Sequence, residues 1–194
     1  YGKPGIKIVF TGDLGNSPSP LLRDTEIVND ADYLIMESVY GDKNHESVEE
    51  RTNILETIIK NAVAKGGALL IPAFSIERTQ ILLYEINNLV EEGKVPSVPV
   101  FLDSPLAIAA TEIYRKKIAH FNSGIQEEIR GGDDIFQFPK LKFTDTAEES
   151  KHIHVVPNPK IIIAGSGMSN GGRIVHHEKR YLSDPKSTLL LPGF

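Results

Sequence analysis

Short apolar runs punctuated by Gly, Pro or Asp recur along this 194-residue chain: IKIVF (6–10), YLIME (33–37), ALLIP (68–72), VPVFL (98–102), KIIIA (160–164) and TLLLP (188–192). Near-continuous runs of this length predict strands buried on both faces, as in a parallel sheet. Helical spacing fills the intervals. In ESVEERTNILETIIKNAVAKGG (46–67), Ile54, Ile58, Ile59 and Val63 share one stripe, and Gly66-Gly67 stops the helix. SIERTQILLYEINNLVEEG (75–93) predicts a helix capped by Ser75 and ended by Gly93. SPLAIAATEIYRKKIAHFN (104–122) starts at Ser104 with Pro105 in the first helical position, and NGGRIVHHEKRYLSD (170–184) makes a last helix. Strand and helix alternate, which predicts an α/β fold: an open, mostly parallel sheet with helices on both faces. Residues 123–159 break the rhythm with GGDD, FPKLKF and PNP, and read as a loop-rich excursion with one short helix near 146–152. IKIVF and YLIME carry unpaired edges, so they are expected to pair with one another, and across a homodimer.

In an open α/β sheet, ligands gather beyond the carboxyl ends of the strands. Those ends carry Asp13, Glu37, PAFSIER (72–78), DSPLA (103–107), GSGMSNGG (165–172) and PGF (192–194). Asp13 sits between Gly12 and Gly15 at the end of a strand. Metal ligand, ribose or phosphate partner, turn cap and solvated side chain are its competing roles. Ser75 and Ser104 are helix caps first and ligand donors second. GSGMSNGG follows a strand and opens a helix, a setting in which backbone N–H groups close on an anion. It lacks the third glycine of the dinucleotide fingerprint, because Asn170 stands there, and it is equally a tight strand-to-helix turn.

Composition narrows this only a little. With 40% hydrophobic and 24% charged residues, the chain suits one compact unit or one domain plus a piece of another. It has no cysteine, which excludes disulfides and thiolate metal sites and fits a reducing cytoplasm. No run approaches the ~20 apolar residues of a membrane span. The net charge of −5 gives no support for a basic nucleic-acid-binding face, so any such role rests on a local site. The chain opens on YGKPG without a starting Met and reads as a piece of a longer protein.

The histidines do not add up to a metal centre. His152 and His154 form half of a zinc-like motif, His176 and His177 point about 100° apart on a helix, and His45 and His120 stand alone. Of the adjacent pair, one is expected to pack and the other to face solvent.

Taken together, FTGDLG, LIMESVYGD, GGALLIPAFSIERTQILL, PVFLDSPLA and IIIAGSGMSNGGRIVHH resemble the β-CASP branch of the metallo-β-lactamase-fold RNA-processing nucleases, over nearly the whole chain. The resemblance implies a partial metallo-β-lactamase domain over 1–45, contributing two strands, and a Rossmann-like β-CASP domain over 46–194. It implies that Asp13 bridges two zinc ions, which lower the pKa of a bound water and steady displacement at phosphorus. It implies that Glu37 orients a histidine that protonates the leaving oxygen. Ser75, Arg78, Ser104, Ser166 and Met168 fall in segments that line the RNA channel of such enzymes. The family's His-x-His-x-Asp-His segment and its later motif histidines belong outside these residues, so the chain by itself is expected to be inactive. The implied partners are single-stranded RNA and the remainder of the metallo-β-lactamase domain. A non-catalytic scaffold of the same fold and a Rossmann-type nucleotide binder are the rival readings.

Overall fold

The structure, a computed structural model, describes residues 5–15, 17–42, 44 and 46–192. His45 and parts of the YGKPG opening and the PGF strand end lie outside the described residues. The strands are β1 (Ile8–Phe10), β2 (Tyr33–Ile35), β3 (Ala68–Pro72), β4 (Val100–Asp103), β5 (Leu141–Phe143), β6 (Lys160–Ala164) and β7 (Thr188–Leu189). The helices are α1 (Val48–Lys65), α2 (Arg78–Glu91), α3 (Pro105–Lys116), α4 (Ser123–Arg130), α5 (Ala147–His152) and α6 (Ile174–Tyr181).

Five strands form one parallel sheet in the order β5-β4-β6-β3-β7. Every residue of β3, β4 and β6 is buried, as their uninterrupted apolar runs require. Successive side chains point to opposite faces. Leu69, Ile71, Val100, Leu102, Ile161 and Ile163 meet Leu55 and Ile59 of α1, Leu83 and Ile86 of α2 and Ala107 of α3. On the other face Leu70, Phe101, Ile162 and Ala164 meet Ile153, Ile174 and Tyr181. Each fully buried aliphatic side chain contributes roughly 1.5–3 kcal/mol, so the two faces together anchor the fold. Helices therefore cover both faces, as the alternating pattern predicts.

The chain runs from β3 over β6 to β4 and outward to β5, then turns back to β6 and out to β7. Right-handed crossovers put the helices of the two directions on opposite faces. Neighbouring strands β4 and β6 thus send their chains to opposite sides, which opens a crevice at their carboxyl ends. Register places Asp103 and Pro72 both level with Ala164 at that edge.

Two sequence expectations need correcting. Residues 123–159 are not mainly loop, because α4 and β5 lie within them as well as the expected α5. Asn122 caps α4 through Ile125 N–H at 3.0 Å, and Ile125 is its single buried anchor, too little for a periodic signal. β5 is an edge strand of three residues that pairs with β4. Helix α2 begins at Arg78, not after Ser75, because the chain leaves β3 through a turn with Glu77 at φ 65°. Thr79 Oγ1 donates to Phe74 O at 2.7 Å and Gln80 Nε2 to Ser75 O at 3.2 Å, so side chains of the first helical turn hold this exit.

β1 and β2 pair in parallel as a separate two-stranded sheet, with Ile8 opposite Tyr33 and Phe10 opposite Ile35. Both strands are shorter than their apolar runs, and Phe10, Tyr33 and Leu34 are exposed rather than buried on both faces as those runs predict, because this pair stands apart from the five-stranded sheet. Leu21, which is buried, ties the following segment to the main body where Leu22 bridges Phe121 and Asn122 N–H donates to Leu21 O at 2.9 Å.

Candidate functional site

Two groups of sequence-selected residues come together in space. The first is the turn after β1. Gly12 and Gly15 hold left-handed backbone, φ 57° and 69°, and between them Asp13 is exposed. Thr11 N–H donates to Ile35 O at 3.0 Å, and Glu37 N–H donates to Thr11 Oγ1 at 3.2 Å. Glu37 Oε1 accepts from Leu14 N–H at 3.1 Å, so the carboxylate at the end of β2 grips the turn that carries Asp13. Asp13 suits an oxygen donor for a hard cation. Among the described residues no group of three His, Cys, Asp or Glu could hold a metal ion, so any ion at Asp13 needs donors from elsewhere.

The second group lies at the crevice between β4 and β6. Ser75 Oγ and Ser104 Oγ are 3.4 Å apart, although they come from strands that β6 separates. A Cβ at Gly165 would stand 3.5 Å from the Ser104 hydroxyl and 3.8 Å from that of Ser75, so the end of β6 passes directly beneath both. Ser104 caps α3 through Ala107 N–H at 3.3 Å, as expected. Two hydroxyls that share one hydrogen bond retain a proton for an external acceptor. The pair is therefore suited to an anionic oxygen.

GSGMSNGG is organised mainly around itself. Ser166 Oγ donates to Asn170 Oδ1 at 2.6 Å, Ser166 N–H to Gly171 O at 3.2 Å and Ser169 N–H to Ser166 O at 3.1 Å. Gly172, at φ 70°, packs so closely on Gly165 that a Cβ would fall 2.3 Å from its carbonyl oxygen. The tight-turn role dominates here, and α6 starts only at Ile174. Met168 is half exposed on this turn. Arg78 lines a different recess of about 240 Å³, walled also by Arg51, Ile54, Glu85 and Leu191.

Sequence reasoning passed over the residue that braces the crevice. Asp103, the last residue of β4, is fully buried. It accepts from Thr144 Oγ1 at 2.8 Å, Ser150 Oγ at 2.6 Å and Arg173 Nη1 at 2.8 Å, and pairs with His177 Nε2 at 2.6 Å. Burial works to raise its carboxyl pKa, but hydrogen bonds from His177, Ser150, Thr144 and Arg173 outweigh it and hold the group at about 2. Arg173 also donates to Thr144 O and Asp145 O, at 2.9 and 2.7 Å. The network thus ties β4, the segment after β5, and α6 together. A signal was available: a carboxylate that closes a strand buried on both faces needs a buried partner.

His176 is exposed and His177 buried, as expected of that pair. His154 lies edge-on to His177, with ring centroids 5.4 Å apart, and near Tyr181. Burial, then the charges of Arg180, His177 and Lys160, push its pKa down.

Residues 79–194 match the Beta-Casp domain. The chain belongs to the Beta-Casp family. It is 34% identical over 98% of its length to Ribonuclease TTHA0252 of Thermus thermophilus, covering 44% of that protein. It is 37% identical to an RNase J-like protein of Methanocaldococcus jannaschii, over 98% of this chain and 44% of that one. Against the Drosophila melanogaster Cleavage and polyadenylation specificity factor 73 the identity is 29%, over 98% and 27%. This Beta-Casp chain therefore spans less than half the length of each of these curated relatives. The sheet, its helices and the crevice bounded by Ser104 and Gly165 lie largely within the matched Beta-Casp segment, whereas Asp13, Glu37 and Ser75 precede it.

Proposed function

We propose that this chain is part of a zinc-dependent nuclease that hydrolyses phosphodiester bonds of single-stranded RNA, to which it contributes one metal ligand and the surface that receives the strand. The observation that carries the reading is the bond from Leu14 N–H to Glu37, which ties the carboxylate after β2 to the glycine-freed turn that carries Asp13. The similarity to a ribonuclease of Thermus thermophilus supports the same direction.

In this reading Asp13 supplies an oxygen to a pair of zinc ions whose other donors come from the remainder of the metallo-β-lactamase domain. Bound there, such ions activate water and stabilise charge building at phosphorus. Glu37 is a positioning residue. Among the described residues it has one oxygen engaged by Leu14, which leaves the other to orient a histidine next to the leaving oxygen. The Ser75 and Ser104 hydroxyls take a backbone phosphate, with Ser166 and Met168 on the bordering turn and Arg78 further along the path of the strand. Residues 1–45 then belong to the metallo-β-lactamase part and 46–194 to the Beta-Casp part. In this reading the chain by itself, which supplies one ligand of the pair of ions, is inactive.

The full-length protein that carries these residues tests the proposal, with single-stranded RNA hydrolysis and bound zinc measured together. Asp13→Asn is expected to abolish hydrolysis and lower zinc content, and Glu37→Gln to slow hydrolysis ~10–100-fold. Hydrolysis that survives metal removal, or full zinc occupancy and activity in Asp13→Asn, would overturn it.

A further inference from the structure

Phe74 lies two residues beyond the end of β3 and is 50% exposed, an unusual position for a ring so firmly held. Its carbonyl accepts from the buried Thr79 hydroxyl at 2.7 Å, and the preceding Ala73 N–H donates to Ala164 O at 3.0 Å. The ring rests on Gly167. A Cβ there would fall 2.8 to 3.0 Å from Cδ2, Cε2 and Cγ, so glycine alone lets the ring lie against that turn. One side of Phe74 is thus backed by the polypeptide while the remainder faces solvent. Leaving half an aromatic ring in water forgoes stabilisation that burial would supply. Its place beside the crevice gives it another use. The next residue, Ser75, carries one of the two hydroxyls that suit a phosphate oxygen. Consecutive Cα atoms lie only ~3.8 Å apart, so ring and hydroxyl fall within the span of a single nucleotide. Met168, likewise half exposed, follows Gly167 and adds a soft apolar neighbour.

We propose that Phe74 is a stacking platform for the nucleobase whose phosphate is taken by the Ser75 and Ser104 hydroxyls, so that the site selects unpaired bases over duplex. This inference rests on the reading of the chain as part of an RNA-acting nuclease. An aromatic face accepts any base and gains most when that base is free of its own stack. A paired base within a helix cannot lie on the ring without being extruded.

Binding of the full-length protein to short single-stranded RNA, in chelator so that nothing is cut, supplies the test. Probes are an intact strand, a series with one abasic position moved along it, and a hairpin duplex. The wild type is expected to lose affinity by about 10- to 100-fold for the strand whose abasic position meets Phe74. Phe74→Ala should show the same loss on the intact strand and be indifferent to the abasic position, while Phe74→Trp should restore tight, base-dependent binding. Phe74→Leu, which keeps apolar area without a π face, should resemble Phe74→Ala. Equal affinity of wild type for all abasic strands, or undiminished binding by Phe74→Ala, would overturn the platform and leave the nuclease reading standing. Wild-type protein that binds no RNA would overturn both.

Discussion

Asp103 Oδ2 and His177 Nε2 meet at 2.6 Å with both side chains buried, across 74 residues of chain. Because Asp103 is ionised, His177 donates through Nε2–H, and the bond fixes α6 against the end of β4. Arg173 makes the second arm of this brace at 2.8 Å.

Removing the charge at the centre should be costly. Asp103→Asn leaves the part-buried guanidinium and the buried imidazole without their anion, and a loss of about 3–5 kcal/mol is expected. Urea unfolding of the chain measures it, with Ser150→Ala as a milder control that removes one neutral donor, worth about 1 kcal/mol.

Acid should act through the same carboxylate. Its folded pKa, about 2, lies below its ordinary value of 3.8. Its contribution is therefore fully present above pH 3.8 and is lost as the pH falls toward 2, about 2 kcal/mol in all. Urea midpoints between pH 5 and 2 should fall in wild type more steeply than in Asp103→Asn.

His154 adds a separate acid sensitivity at higher pH. Burial holds its folded pKa below 6.5, so the unfolded chain binds more protons as the pH drops through that value. Stability should decline on acidification from pH 7 to 5. The groups facing it are His177, Tyr181, Arg180, Lys160 and Asp103. His154→Gln should flatten the decline; an equally steep fall in that variant would remove His154 as its source.

The two crevice serines should separate cleanly. Ser104 caps α3, so Ser104→Ala is expected to cost about 1 kcal/mol. Ser75 caps no helix, so Ser75→Ala should shift stability by only a few tenths of a kcal/mol while weakening RNA binding. Thermal melts beside binding isotherms distinguish these outcomes.

Gly172→Ala probes the turn. Its φ of 70° and a Cβ position 2.3 Å from the Gly165 carbonyl oxygen force the backbone apart. We expect a loss of at least about 1–3 kcal/mol and displacement of the Ser166 turn, visible as faster amide exchange at Ser166.

Much of this was legible in residue order. Gly66 announced the stop of α1 and Ser104-Pro105 the start of α3, but the face that α1 buries is Leu55, Ile59 and Ala62, and Ile54 of the expected stripe is exposed. The buried runs of β3 and β6 matched the observed strands residue for residue. What failed were elements with little local signal. α4 has one buried anchor and β5 only three residues, and both hold their shape by docking on neighbours. Ser75 looked like a cap because polar residue and helical stripe were adjacent, yet the exit from β3 needed three further residues of turn.

The amino-acid order by itself determined most of the segments that become helices and strands, and which family the motifs resemble. Those are local properties, set by side-chain spacing and by the conformations that Gly and Pro permit. Only the tertiary structure decided that β6 lies between β3 and β4, and hence that Ser75, Ser104 and Gly165 share one crevice. It also decided that Asp103 is held by Arg173 and His177 rather than facing solvent. Strand order follows from burying both faces of a sheet with right-handed crossovers, a global packing requirement that no short stretch of sequence contains.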